Sequence, residues 1–174
     1  IDENRIAVLS GPNHAEEIIK NKATATVIGS INEEFSNQLQ SLLSNNRFRV
    51  YTSKDILGIQ LGAAVKNVIA IASGICVGLN MGDNTQAALV SRGMNEIVRL
   101  GKIYKTSPQT LYGLSGLGDL ICTCYSKHSR NREMGILISS GLSYFDAEKK
   151  LRMIAEGIHT SKVINDISKK YNVE

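Results

Sequence analysis

The spacing of apolar residues along the chain changes character near position 54. Before it, "RIAVLSGP" is a short alternating apolar run that stops at Gly11-Pro12, which predicts a strand meeting a turn. "HAEEIIKN" puts acids in the first turn of a short helix, and "ATATVIGS", rich in β-branched residues and bounded by Gly29-Ser30, reads as a second strand. In "NEEFSNQLQSLLSN" the apolar residues Phe35, Leu39 and Leu42 recur at helical spacing behind two acids, and "RFRVYTS" alternates again. The order β-α-β-α-β predicts the end of a parallel α/β sheet, and three strands alone would leave such a sheet largely uncovered.

From Asp55 onward no stretch alternates convincingly. "NTQAALVSRGMNEIVRLGKIY" carries Ala88, Val90, Ile97, Leu100 and Ile103 among helix formers, and further helices are expected from Ser143 to about Met153 and from Thr160 to Tyr171. Ser143 with Asp146 approximates a capping box. Gly58 and Gly62, then Gly74, Gly78 and Gly82, recur at four-residue steps, and glycine is a poor helix former, so the stripe implies another helix backbone packed very close. The fold class that follows is mainly α: residues 1–53 belong to an α/β part and residues 54–174 to a compact helical domain.

The most apolar of these helices holds a chemical oddity. From Ile56 through Gly82, Lys66 is the only formally charged residue. Its helical lane continues through Ile69, Ala70, Ser73, Gly74 and Val77, with no carboxylate one turn away. An unpaired buried ammonium costs several kcal/mol, so Lys66 either reaches solvent along its own stem or is compensated from outside the segment.

A second unusual passage is "GLSGLGDLICTCYSKHSRNREMG". Gly113, Gly116 and Gly118 are in the wrong order for a dinucleotide fingerprint, and Asp119-Leu120 stands where a P-loop needs Lys-Ser/Thr. A flexible connection between helices accounts for the glycines. Asp119, directly beyond them and before an apolar pair, is a candidate partner for Lys66. Downstream, Ser126, Ser129, Arg130, Asn131 and Arg132 supply hydroxyl, guanidinium and amide donors within two turns, a set that suits phosphate at a helix start or, more blandly, a solvated cap.

Composition narrows the class. With 43% hydrophobic and 21% charged residues the chain can bury a core, and its net charge of +4 is scattered rather than blocked, so no nucleic-acid arm is expected. Cys76, Cys122 and Cys124 lack metal-ligand spacing, and neither His14 nor His128 supplies it, so no metal is expected and a reduced, cytoplasmic setting fits. No secretory pattern opens the sequence, and the longest uncharged stretch is interrupted by Gln60, Asn67, Asn80 and several glycines, which argues against a membrane span.

Taken jointly, "SGPNHAEE", "LGAAVKNVIAIASGICVGL", "GDNTQAALVSRGMNEIVRLG", "GLSGLGDLICTCYSKHSRNREMG" and "AEGIHTSK" resemble the NAD(P)-dependent sn-glycerol-3-phosphate dehydrogenase family, in that family's order and spacing across nearly all of the chain. The resemblance implies the last β-α-β part of a Rossmann-type domain, followed by a helical substrate domain like the C-terminal domain of 6-phosphogluconate dehydrogenase. It implies a phosphorylated triose as substrate and NAD or NADP as cofactor. It makes Lys66 the catalytic acid/base and Asn67 its neighbour that orients substrate, while Asp119 contacts the glycerol moiety and holds Lys66. Ser129, Arg130 and Asn131 would bind the phosphate side of the substrate, with Gly11 and Asn13 also at the substrate. Ala15, Arg130, Ile154 and Glu156 would meet the cofactor. Asn13 departs from the serine or threonine more usual there. The family's G-x-G-x-x-G is missing, so the resemblance implies the C-terminal portion of such an enzyme, inactive in isolation. The competing reading is a helical binding or dimerisation module, with the glycine stripe packing a partner helix and Lys66 structural; the same stripe admits a homodimer of the enzyme.

Overall fold

The computed structural model describes residues 2–152 and 154–171. The three expected strands form as β1 (Val8–Ser10), β2 (Thr24–Gly29) and β3 (Phe48–Ser53), in the spatial order β1-β2-β3. β2 and β3 run parallel, in register from Thr24 opposite Phe48 to Gly29 opposite Ser53, and their crossover contains helix α2 (Glu33–Leu43). Asn32 caps α2, its side chain accepting from the Phe35 N–H at 3.1 Å. Leu42, expected on the apolar stripe of this helix, is exposed instead.

β1 departs from the expected parallel sheet, pairing with β2 antiparallel from Val8 opposite Gly29 to Ser10 opposite Val27. The reason lies in the connection. Between Ser10 and Thr24 the only helix is α1 (Ala15–Ile18), four residues or about 6 Å long, short of the roughly 20 Å that a helical crossover must travel back along a six-residue strand such as β2.

The remaining helices are α3 (Ile56–Gly78), α4 (Asp83–Ile103), α5 (Pro108–Leu111), α6 (Asp119–Tyr125), α7 (Arg130–Ser139), α8 (Tyr144–Leu151) and α9 (Glu156–Tyr171). Ser143 caps α8 as expected: its Oγ accepts from the Asp146 N–H at 3.2 Å and donates to Asp146 Oδ2 at 2.5 Å. The expected end of this helix at Met153 lies outside the described residues. α9 begins four residues earlier than Thr160, at Glu156. The glycine-rich connection is not flexible packing material: Leu114–Gly118 winds into a π-helical turn with Ser115 and Gly116 buried.

By packing, the chain divides into two compact units, residues 1–63 with 94–122, and residues 64–93 with 123–174. In the first unit the sheet buries Ile28 and Val50, and Ile59 of α3 fits against Gly29, where an added Cβ would stand 2.7 Å from Ile59 Cδ1. Asp55 does double duty at the start of α3. Its Oδ1 accepts from Gly58 N–H and its Oδ2 from Ser107 N–H, both at 2.8 Å, so one carboxylate caps α3 and fixes the residue that precedes α5.

In the second unit the glycine stripe meets its partner. Cβ atoms at Gly74 and Gly78 would collide with the Arg132 carbonyl and the Ser139 hydroxyl, and one at Gly135 would stand 2.9 Å from Gly74 Cα, so α3 and α7 touch backbone to backbone. At these positions the close helix that the stripe implies is α7 of the same chain. Ile71, Met134, Leu137, Ala147 and Ala155 form the buried cluster beside this contact, covered by Ile75, Leu142, Tyr144 and Ile158. Among the described residues α3 alone is long and apolar enough to cross a membrane by length and composition, yet Val65, Ile69, Ala70, Ile71 and Ser73 are all buried against protein.

Candidate active site

Lys66 and Asn67 lie at the middle of α3, both half-buried. The lane through Lys66 runs into the interior at Ile69, Ala70 and Ser73. There the apolar pattern is broken by a buried polar node. Cys124 lies in the last turn of α6, where helix carbonyls lack an intrahelical N–H. Its carbonyl accepts from Ser73 Oγ at 3.1 Å and from Gln86 Nε2 at 3.3 Å, while Gln86 Nε2 also donates to Ser73 Oγ at 2.7 Å. Burial pushes the Cys124 thiol up to about 12, against the opposing pull of the Ser73 hydroxyl and of the positive charges on Lys66 and Arg132.

The donor cluster turns out to be the first turn of α7. Ser129 is its N-cap, 4% exposed, accepting from Arg132 N–H at 3.2 Å, which leaves its own hydroxyl proton available. Arg130 pairs with Glu156 across 3.2 Å, both side chains nearly half exposed, so the pair is weak and the guanidinium can turn to another anion. Asn131 is buried and its Oδ1 accepts from Gly157 N–H at 3.0 Å. Arg132 adds a further guanidinium, whose buried Nε makes no hydrogen bond among the described residues.

Gly157, the second residue of α9, is the hinge of this arrangement. A Cβ there would stand 2.6 Å from the Asn67 carbonyl oxygen and 2.7 Å from Ile71 Cδ1. Consecutive residues of α9, Glu156 and Gly157, thus hold consecutive residues of α7, Arg130 and Asn131, and Gly157 simultaneously rests on the backbone of Asn67. Lys66-Asn67, Ser129 to Asn131 and Glu156 are brought together in the second unit; Ile154 is 59% exposed on the segment leading into α9.

Gly11, Asn13, Ala15 and Asp119 belong to the first unit. Gly11 has φ +142°, and a Cβ there would stand 3.1 Å from Thr26 Cα, so both backbone and space call for glycine. Asn13 Nδ2 donates to Thr26 Oγ1 at 3.2 Å, and Thr26 Oγ1 donates to the Ser10 carbonyl at 2.7 Å, pinning the turn to β2. Ala15 is exposed at the start of α1. Asp119, 5% exposed, opens α6 directly after the π-helical turn. The Gly11-Pro12-Asn13 turn reaches its neighbour Gly118, with Pro12 Cδ 3.8 Å from the position of an added Cβ. A cleft of about 470 Å³ on the β2-β3 face is lined by residues including Val27, Tyr51, Thr110 and Ser115, and by none of the candidate site residues.

Three residues of this architecture escape sequence reasoning. Ser73 and Gln86 leave only the signal of a polar residue in an otherwise buried lane, and Gly157 only that of a glycine in the first turn of an otherwise regular helix.

Residues 55–174 match the family described as NAD-dependent glycerol-3-phosphate dehydrogenase, C-terminus, and residues 1–36 match its N-terminal counterpart. An NAD(P)+ glycerol-3-phosphate dehydrogenase of Fusobacterium nucleatum is 51% identical over 170 residues, 98% of this chain and 51% of that protein. The enzyme of the same name from Clostridium tetani is 46% identical over 99% of this chain and 50% of its own length. The crystal structure of glycerol-3-phosphate dehydrogenase from Coxiella burnetii superposes with a TM-score of 0.94 at 39% identity, covering 97% of this chain and 52% of that one. A glycerol-3-phosphate dehydrogenase of Saccharomyces cerevisiae gives 0.84 at 29% identity, over 95% of this chain and 50% of that one. The chain spans about half the length of the curated relatives it matches. Matched over more than half of its residues, and in the order of motifs that first suggested it, the chain belongs to the NAD-dependent glycerol-3-phosphate dehydrogenase family.

Proposed function

We propose that this chain is the C-terminal part of an enzyme that interconverts sn-glycerol 3-phosphate and dihydroxyacetone phosphate using NAD or NADP. In this reading residues 1–53 close the dinucleotide-binding domain, and residues 54–174 form the helical substrate domain. The observation that carries the reading is the double contact of Gly157, bonded to Asn131 and seated on Asn67, which draws the anion-binding turn of α7 to the lysine-bearing stretch of α3.

The chemistry follows from the groups so gathered. The Ser129 hydroxyl, the Arg130 guanidinium and the Asn131 amide, at the positive end of a ten-residue helix, form a donor set for a dianionic phosphate. Binding that remote group fixes C2 of the substrate and lends its binding energy to orientation at the reacting carbon. Lys66 donates a proton to the C2 oxygen in carbonyl reduction and accepts it in alcohol oxidation, with Asn67 orienting the oxygen. Asp119 is assigned to the glycerol hydroxyls, and the backbone of the Gly11 to Asn13 turn to the substrate.

The residues present also suit a dinucleotide. Arg130, Glu156 and the exposed Ile154 offer a guanidinium for phosphate, a carboxylate for hydroxyl or amide donors and an apolar contact. When bound, the nicotinamide supplies or takes up the hydride at C2. The three free thiols agree with a cytoplasmic enzyme. A homodimer gains no support from the glycine stripe, because Gly74 and Gly78 already pack on α7, and the same contact weakens the reading as a dimerisation module.

The test is dihydroxyacetone phosphate reduction by the full-length protein, followed by NADH or NADPH absorbance, beside Lys66→Ala. General acid-base catalysis contributes about 10²- to 10⁴-fold, and a loss of that size is expected. Equal turnover in the two proteins would remove Lys66 from the chemistry.

A further inference from the structure

Gly157 has two neighbours that ordinary helix construction does not require. Its N–H is in the first turn of α9, where backbone donors have no intrahelical acceptor, and it is given to a side chain 26 residues upstream in sequence, the Oδ1 of buried Asn131. Its Cα faces the Asn67 carbonyl so closely that any side chain would have to displace the backbone of α3.

The bond decides which way the Asn131 amide points. A carboxamide can be turned end for end, but a backbone N–H can only donate, so the atom facing Gly157 is the oxygen. The Asn131 NH₂, two donors and no acceptor, is what remains for a ligand at the first turn of α7. Turned the other way, the same side chain would present a lone-pair oxygen to an anion and repel it.

We propose that Gly157 is a positioning residue for the phosphate group of the substrate: it locks the Asn131 amide with its NH₂ towards the oxyanion and holds that lock against the backbone of Asn67. The proposal rests on the reading of the site as one for a phosphorylated triose. Gly157 touches no reacting atom; it acts through Asn131, and its effect falls mainly on the part of the substrate that carries the negative charge.

The experiment uses the full-length enzyme and compares dihydroxyacetone phosphate with dihydroxyacetone, which lacks the phosphate. Gly157→Ala, whose added Cβ would also press on the Asn67 carbonyl, is expected to lower kcat/KM for dihydroxyacetone phosphate at least about tenfold more than kcat/KM for dihydroxyacetone. Equal losses on both substrates would mean a general structural role, and no loss on either would mean that the lock is not needed; each overturns the proposal. If Gly157→Ala does not fold, Asn131→Asp carries the test, because its carboxylate keeps an acceptor for the Gly157 N–H but replaces the NH₂ by a second oxygen. Loss of the phosphate-dependent advantage in the folded variant supports the lock; an unchanged advantage refutes it. A wild-type enzyme that does not reduce dihydroxyacetone phosphate at all would fail the functional reading itself, separately from Gly157.

Discussion

Replacing Gly135 by alanine sets two well-understood effects against each other. Gly135 is buried in the middle of α7, where alanine is the better helix former by about 1 kcal/mol, so a helix judged by its own sequence should gain stability. The structure predicts the reverse. A Cβ at Gly135 would stand 2.8 Å from Ile75 N and 2.9 Å from Gly74 Cα, and closer still to the Ile71 carbonyl oxygen, whereas ordinary contact begins at 3.4 Å. The helices must therefore separate by at least ~0.6 Å (3.4 less 2.8), and none of the three obstructing atoms is a side-chain end that can swing away. Overpacking of this kind costs about 1–3 kcal/mol, and separation also loosens the adjoining Ile71, Met134 and Leu137 contacts.

The net expectation is a loss of roughly 1–2 kcal/mol, read as a lower urea midpoint at unchanged slope. A functional consequence accompanies it. Asn131 is four residues before Gly135 on the same helix, so a displacement of α7 moves the proposed anion-binding turn relative to Asn67. A rise in KM for dihydroxyacetone phosphate of tenfold or more is expected in the full-length enzyme, since misplacement of about 1 Å can cost a hundredfold in rate. A variant that is more stable than wild type by about the 1 kcal/mol of helix propensity would refute the backbone-to-backbone contact between α3 and α7.

Two further outcomes follow from particular groups. Asp55→Ala removes the acceptor for both Gly58 N–H and Ser107 N–H and should cost about 2 kcal/mol, one cap and one charge-assisted bond, while Asp55→Asn should keep part of it; a loss under ~0.5 kcal/mol in urea denaturation would rule out the shared cap. Burial keeps the Cys124 thiol protonated up to about 12 in the folded chain, against 9.0 for an ordinary thiol. Its contribution to stability is therefore complete below pH 9 and is lost as pH rises through about 12, because the unfolded thiol releases its proton first. The stability difference between wild type and Cys124→Ala should narrow over that range, and a constant difference would show that the thiol is not held in its neutral form.

What was legible in the sequence was chemistry that breaks a pattern. Lys66 stood out because nothing charged surrounds it between Ile56 and Gly82, and Ser129 to Asn131 because hydroxyl, guanidinium and amide donors crowd one turn. The glycine stripe implied a closely packed helix, and Gly74 and Gly78 do meet α7, whereas Gly58 faces its own cap Asp55 and a Cβ at Gly82 would meet nothing within 4 Å. What was not legible depends on direction or distance along the chain. Alternation in "RIAVLSGP" and "ATATVIGS" is the same for parallel and antiparallel pairing, and the direction of β1 depends on the course of the connection that carries only the one-turn α1. The exposure of Leu42 and the partner of the stripe at Gly74 both depend on which surface packs where, which helical spacing alone does not specify.

The same distinction explains how the site of the second unit is held. The groups proposed to face the ligand are side chains, but the contacts that set their spacing are largely main-chain: Gly74 against the Arg132 carbonyl, Gly135 against Ile71 and Ile75, Gly157 against the Asn67 carbonyl and the Asn131 amide. Backbone contacts have no rotamers, so three helices pressed together at glycines hold Asn67, Asn131 and Glu156 with less freedom than interdigitated side chains would. Such a framework should accept volume-conserving changes in the Ile71, Met134 and Leu137 cluster, where neighbouring side chains can repack, and reject a single added methyl at any of the three glycines. The glycines that look least chemical in the sequence are thus the residues through which α3, α7 and α9 fix the geometry of the first turn of α7, the proposed anion site.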